Sequence, residues 1–130
     1  MSPRPALTRH PDVVIIGGGV IEGSIPWHLA RRGCTNTLVL GQGSTRGAGS
    51  TSKATGGFRA QFDSAVNVRL SLLARAKLLA FEEEVGADPG YRQCGYLWIA
   101  QSQDGLNALE RAWKTQRDAG LEEASLLSAA

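Results

Sequence analysis

Four β-branched apolar residues in a row, Val13-Val14-Ile15-Ile16, open the patterned part of the chain. No polar residue alternates among them, so they predict a strand covered on both faces, the pattern of a parallel sheet. The run Gly17-Gly18-Gly19 ends that strand, and a helix is expected from Val20 to about Arg32. Gly33 supplies its stop, with Arg31 and Arg32 at the negative end of the helix dipole. Pro26 lies in its interior, where the missing N–H and the crowding ring cost about 3 kcal/mol or kink the helix. Residues 35–40, Thr-Asn-Thr-Leu-Val-Leu, predict a second strand and complete a βαβ unit over residues 12–40.

Residues 41–57 break the pattern: six glycines and six hydroxyl side chains, with no apolar periodicity. Apolar spacing of three and four returns with Leu70, Leu72, Leu73, Ala76, Leu79 and Phe81. It predicts a helix capped by Asp63 or Ser64 and running to about Val85, with Gly86 as its stop. Glu82-Glu83-Glu84 would then oppose the dipole at its C-terminal end, as a solvated terminus. Asp88-Pro89-Gly90 reads as a turn. Residues 91–100 alternate as a strand, with Tyr96, Trp98 and Ala100 on one face and Leu97 and Ile99 on the other. A further helix is expected over residues 103–119, with Leu106, Leu109 and Trp113 inward and Gly120 as its stop, before a short strand or tail.

The chemistry suggested by this order sits at the first strand–helix junction. Glycines without a Cβ allow a tight turn and close backbone approach, and the positive end of the helix dipole lies at the same place. Together they suit a pyrophosphate. This is the dinucleotide fingerprint G-x-G-x-x-G, except that Glu22 stands at its third glycine. The bland reading is a glycine turn that binds nothing. The loop 41–57 likewise reads either as a flexible linker or as an anion cradle in which amides, hydroxyls and Arg46 or Lys53 surround phosphates. Its position after a βαβ unit favours the cradle.

Composition narrows the rest. A chain of 130 residues allows one small domain, and 42% hydrophobic with 20% charged residues is a globular balance. A net charge of +2 gives no strong pull toward nucleic acid or anionic membrane. No apolar run reaches the roughly 18–20 residues of a membrane span. Residues 1–11 carry no hydrophobic stretch and read as a disordered tail rather than a secretory signal. Cys34 and Cys94 are far apart and form no C-x-x-C, so reduced thiols in the cytoplasm are expected. His28 has no partner at ligand spacing and reads as a packing or surface residue, and no metal site is expected.

Asp12 to Ile21, Ser24-Ile25, His28 to Gly33, Leu38-Val39-Leu40, the loop through Gly56-Gly57-Phe58-Arg59-Ala60-Gln61-Phe62, and Gly95-Tyr96-Leu97 together resemble the D-amino-acid oxidase-like family of FAD-dependent oxidoreductases. The likeness is strongest to its sarcosine oxidase and dehydrogenase branch and covers nearly the whole chain. It implies an α/β fold: a Rossmann-like βαβ FAD-binding unit followed by helix–strand–helix (residues 63–119), an incomplete form of a two-domain fold. Residues 12–130 would be the N-terminal part of the FAD-binding domain. It also implies oxidation of a C–N bond of a secondary amine or amino acid, by hydride transfer to flavin and hydrolysis of the imine. Gly17, Gly19, Val20 and Ile21 would line the FAD pyrophosphate. Ser50, Thr51, Ser52 and Lys53 would follow the phosphates and ribityl chain, and Gly56 and Gly57 would lie against the flavin ring. Some relatives attach flavin through a histidine in this loop. Lys53 stands at that place, so FAD would be held non-covalently. Arg59 is the candidate for holding a substrate carboxylate through paired hydrogen bonds, or else a solvated arginine at a helix start.

The chain departs from the family pattern at four points. Glu22 replaces a glycine of close helix–strand packing, and its bulk is expected to push the helix outward. Pro26 replaces a small helix former. Gly41 replaces the acidic residue that would bind the adenosine ribose, a loss worth about 1.5–3 kcal/mol. The family's enzymes are about three times longer, as a nucleotide domain plus a substrate domain requires. Two alternatives therefore stand beside the enzyme: a truncated or degenerate remnant or partner-dependent subunit without catalysis of its own, and an NAD(P)-binding module. So apolar a first strand also calls for neighbours on both sides, which a partner chain completing the sheet would supply.

Overall fold

The computed structural model describes residues 10–42, 47 and 49–127. Most of the expected N-terminal tail, and Arg46 of the candidate cradle, lie outside the described residues. The chain divides into two units, Met1–Gly57 and Phe58–Ala130.

In the first unit, β1 (Val13–Ile16) and β2 (Thr37–Leu40) pair in parallel, with Val13 opposite Thr37 and Ile16 opposite Leu40. The ladder continues beyond both ends: Asp12 N–H donates to Asn36 O at 2.9 Å and Gly17 N–H to Leu40 O at 2.7 Å. The crossover is α1 (Val20–Ala30), which carries Pro26 within a continuous helix. A left-handed glycine closes α1, as its sequence predicts. Gly33 has φ 88°, Cys34 N–H reaches Leu29 O and Gly33 N–H reaches Ala30 O, both at 3.0 Å. This is the paired bond pattern of a Schellman stop.

Burial on both sheet faces, however, is not found. Ile15 is 7% exposed whereas its neighbour Ile16 is 83% exposed, and Val14, Val39 and Leu40 also face outward. The reason is the number of layers. Among the described residues the sheet has two strands, and α1 is the helix that packs against both of them. A single turn of helix, α2 (Ser50–Lys53), interrupts the loop that had no predicted element.

In the second unit, α3 (Ala65–Leu79) begins after Ser64 and is followed by α4 (Phe81–Val85). The single helix expected through Val85 is divided at Ala80 (φ −86°, ψ −3°). The break changes the electrostatics of Glu82-Glu83-Glu84. They occupy the first turn of α4, where negative charge is favourable, rather than the last turn of a longer helix. Lys77 Nζ lies 3.6 Å from Glu84 Oε1 and spans the break.

Helix α5 (Gln103–Asp118) starts at Ser102, whose hydroxyl accepts from Gly105 N–H at 3.2 Å. It ends at Gly120 (φ 103°), again with paired bonds, Leu121 N–H to Gln116 O and Gly120 N–H to Arg117 O. The core of this unit is Val68, Ala119, Leu121 and Ala124, with Phe62, Leu72 and Trp113 around it. Leu106 is exposed, contrary to its expected inward position, while Gln116 on α5 and Ala119 just beyond its end are buried. Trp113 is half-buried and donates its Nε1–H to Ala124 O at 2.9 Å.

Residues 91–100 correct the expected strand. Tyr96, Leu97, Trp98 and Ile99 are exposed, and the segment pairs with no strand among the described residues. Alternation sets which side chains share a face, but a strand also needs a neighbour to take its N–H groups.

Candidate functional site

The candidate site of the first unit is built on the junction between β1 and α1. Gly17 adopts φ 133°, a conformation side chains disfavour, and turns the chain out of the sheet. Its N–H is committed to Leu40 O at 2.7 Å, so Gly17 offers no backbone donor to a ligand at this corner. The loop after β2 folds back over the same corner. Gly47 N–H donates to Gly18 O at 2.8 Å, Ser52 N–H to Gly47 O at 3.0 Å and Ser52 Oγ to Gly49 O at 3.1 Å. That docking brings the Thr51 hydroxyl to accept from Val20 N–H at 3.1 Å, across 31 positions of sequence. Gly47 and residues 49–53 thus form a folded flap on the glycine turn, not a linker.

Glu22 decides the state of the corner. Its Oε2 accepts from Gly19 N–H at 2.9 Å. This is the reciprocal half of a capping box, a third-position glutamate reaching back to the N-cap amide. The same side chain fills the space the glycines leave: a Cβ built on Gly17 would fall against Glu22 Cγ, Cδ and Oε1. A Cβ on Gly19 would meet Thr51 Oγ1 at 2.8 Å and Glu22 Oε2 at 2.9 Å. Instead of standing between helix and sheet, where it would force them apart, the glutamate lies over the turn.

Of the residues singled out from the sequence, Gly17, Gly19, Val20, Gly41 and Thr51 meet at this corner. Ile21 follows on the first turn of α1 with its side chain exposed. Gly41 lies against Gly17 and Gly18; a Cβ there would have ordinary contacts, 3.7 Å to Gly17 O and to Gly18 Cα. A Cβ is therefore tolerated at 41. Ser50, Ser52 and Lys53 are exposed on α2, and Gly56 (φ 72°) has open space around its Cα. The capping role of Glu22 was missed. The spacing Gly19-x-x-Glu22 at a helix start was the signal that could have revealed it.

Arg59 belongs to the second unit. Its guanidinium lies over the ring of Phe62 at 4.7 Å and over Trp98 at 5.1 Å. Among the described residues no acceptor takes its N–H groups. Aromatic rings engage the faces of the guanidinium, whereas carboxylates bind its edge, so the two uses are compatible. Arg59 lines an open groove of about 1240 Å³ together with Tyr91, Tyr96, Trp98, Leu106 and Trp113.

Comparison with known proteins agrees with this architecture. The FAD dependent oxidoreductase family (DAO) matches the chain over residues 12–130. The chain belongs to that family. Over 126 residues it is 32% identical to FAD-dependent oxidoreductase domain-containing protein 1 of Xenopus laevis, covering 89% of this chain and 25% of that protein. It is 31% identical to glycine oxidase of Geobacillus kaustophilus (88% of this chain, 32% of that protein) and 31% identical to mouse mitochondrial sarcosine dehydrogenase (92% and 13%). The crystal structure of L-proline dehydrogenase from P. horikoshii superposes with a TM-score of 0.73 at 29% identity, over 85% of this chain and 28% of that one. The chain thus spans about a third or less of the length of these relatives.

FAD is the cofactor of this family, and the fit can be tested on the corner itself. The backbone turn, the start of α1 and the Thr51 flap have the form of a diphosphate cradle. The Glu22 side chain, where it lies, occupies that cradle and takes its Gly19 donor.

Proposed function

We propose that the chain is the FAD-binding N-terminal portion of an oxidoreductase acting on the C–N bond of a secondary amine or amino acid such as sarcosine. The observation that carries this reading is the Gly17–Val20 turn, set between a parallel strand pair and a helix start and covered by a hydroxyl-bearing flap. Bound FAD would supply the acceptor for the hydride removed from the amine carbon. This chain's residues would bind and orient. Gly17, Gly19, Val20 and Ile21 would line the diphosphate. Ser50, Thr51, Ser52 and Lys53, with Arg46 from outside the described residues, would follow the phosphates and ribityl chain. Gly41 would face the adenosine ribose without an acidic group, and Gly56 and Gly57 would meet the flavin ring. Arg59 would hold the substrate carboxylate edge-on.

In this reading the substrate is a small amine, with neither nucleic acid nor membrane as partner. No helix among the described residues is long and apolar enough to cross a membrane. Cys34 and Cys94 are free thiols, in keeping with work in the cytoplasm. The outward-facing Ile16, Val14 and Leu40 support a partner segment or chain that completes the sheet.

A specific observation favours a second reading, a remnant or partner-dependent subunit without catalysis of its own: the bond from Gly19 to Glu22 that occupies the cradle. One experiment separates the two. The chain is purified with FAD, desalted, and mixed anaerobically with sarcosine, glycine or L-proline while flavin absorbance is followed. Retained yellow colour that bleaches with one amine supports the enzyme. Retained colour that no amine bleaches supports the subunit, and a colourless protein supports the remnant.

A further inference from the structure

We propose that Glu22 is a built-in occupant of the diphosphate cradle, a carboxylate that must leave Gly19 before FAD can seat. The inference rests on the reading of the Gly17–Val20 turn as the FAD diphosphate site and adds to it a restraint carried by this chain's own side chain. Two independent features support it. The first is chemical: the Gly19 amide, a donor at the positive end of α1, already holds an anion, Glu22 Oε2 at 2.9 Å. The second is steric. Glu22 Cγ, Cδ and Oε1 fill the volume beside Gly17 that a missing Cβ leaves open. A carboxylate and a phosphate are both anions with acceptor oxygens, so they compete for one donor and repel each other if both are present.

The occupant is also placed to move. Among the described residues one hydrogen bond, from Gly19 N–H, holds the half-buried Glu22 side chain at this corner, whereas Thr51 caps the neighbouring Val20 amide independently. Rotation of Glu22 away would open the turn without dismantling either the sheet ladder or the flap. The cradle would then have two states, one closed by the protein's own carboxylate and one open to a diphosphate, with cofactor affinity reduced by the share of closed molecules.

The test is a titration of the whole chain and of the variants Glu22→Ala and Glu22→Gln with FAD, ADP and riboflavin, read by calorimetry and flavin fluorescence. Alanine gives up the cap on Gly19 but is a good helix former, and the Thr51 hydroxyl still holds the Val20 amide at the helix start. Glu22→Ala should bind FAD and ADP at least about tenfold more tightly than the wild type, the scale of one charge-assisted hydrogen bond. Riboflavin, which lacks phosphate, should show no gain. Glu22→Gln, which keeps the volume and an acceptor oxygen, should gain less than alanine. Equal affinity of wild type and Glu22→Ala overturns the proposal, as does a glutamine variant that opens the site as fully as alanine. If Glu22→Ala does not fold, the wild-type chain still decides: ADP at saturation should shift the Gly19 amide resonance, and an unmoved Gly19 resonance overturns the proposal. Amine turnover is not a readout here, so a failure of the substrate reading leaves this result unaffected, and the converse also holds.

Discussion

The two units of this chain are held by different forces. The first has a hydrogen-bonded parallel ladder, two capped amides at the start of α1 and a Schellman stop at its end, yet among its described residues Ile15 is the one buried apolar side chain. The second lacks a sheet among the described residues but closes a small apolar core around Val68, which is 0% exposed. Backbone bonds set geometry at a modest net gain, about 0.5–1.5 kcal/mol each, while burial of apolar area supplies most of the driving force. The lesson is that the glycine corner between β1 and α1 is shaped mainly by turn chemistry and capping. Its exposed strand residues show that the packing which would support it is not supplied by the described residues.

Five substitutions would break or sharpen that contrast. The largest effect is expected from Trp113→Ala, which removes a half-buried ring and its bond to Ala124 O. A loss of about 3 kcal/mol in urea unfolding is expected. A loss below one third of that would show that the second unit does not depend on its core.

Next comes a neighbouring pair in β1. Ile15→Ala should cost about 2 kcal/mol, and Ile16→Ala within about 0.5 kcal/mol, because one is covered and the other bare. Equal losses in thermal unfolding would mean that both faces of β1 are covered in solution. Thr51→Val is expected to destabilise by about 1 kcal/mol, since Val20 loses its acceptor. Hydrogen exchange at Val20 should quicken in that variant while exchange at Gly105, in the other unit, stays unchanged.

The smallest effect belongs to the Arg75–Glu123 ion pair. The Arg75 guanidinium, by hydrogen bonding, holds the Glu123 carboxyl below its ordinary value. A depressed carboxyl adds stability above its unfolded value, about 4.3, and loses it as pH falls through the lower folded value. Glu123 is more than half exposed, so solvent screening keeps this below about 1 kcal/mol. Glu123→Gln should therefore be slightly less stable than wild type at neutral pH and equal to it in strong acid. A gap that persists in acid would assign the effect to packing rather than charge.

Much of the first unit was legible in the sequence because its signals act over a few residues. The β-branched run, the glycine turn and the Gly33 stop each specify local backbone, and β1, α1 and β2 follow in that order. The break at Ala80 and the unpaired residues 91–100 were not legible. The first divides a continuous apolar stripe, and the second shows that a side-chain pattern does not provide a neighbouring strand. At the site, glycine spacing identified the corner, but the flap that carries Thr51 to Val20 joins positions 31 apart, which no local pattern encodes.

What the sequence by itself determined was the βαβ connectivity, the place of the glycine turn and the stops of α1 and α5. These depend on φ angles and hydrogen bonds within one or two turns of chain. Only the tertiary structure decided which apolar residues are covered, whether residues 91–100 find a partner, and where the Glu22 carboxylate comes to rest. Those outcomes depend on which groups meet in space, and a side chain with two acceptable rotations takes the one whose donor is within reach.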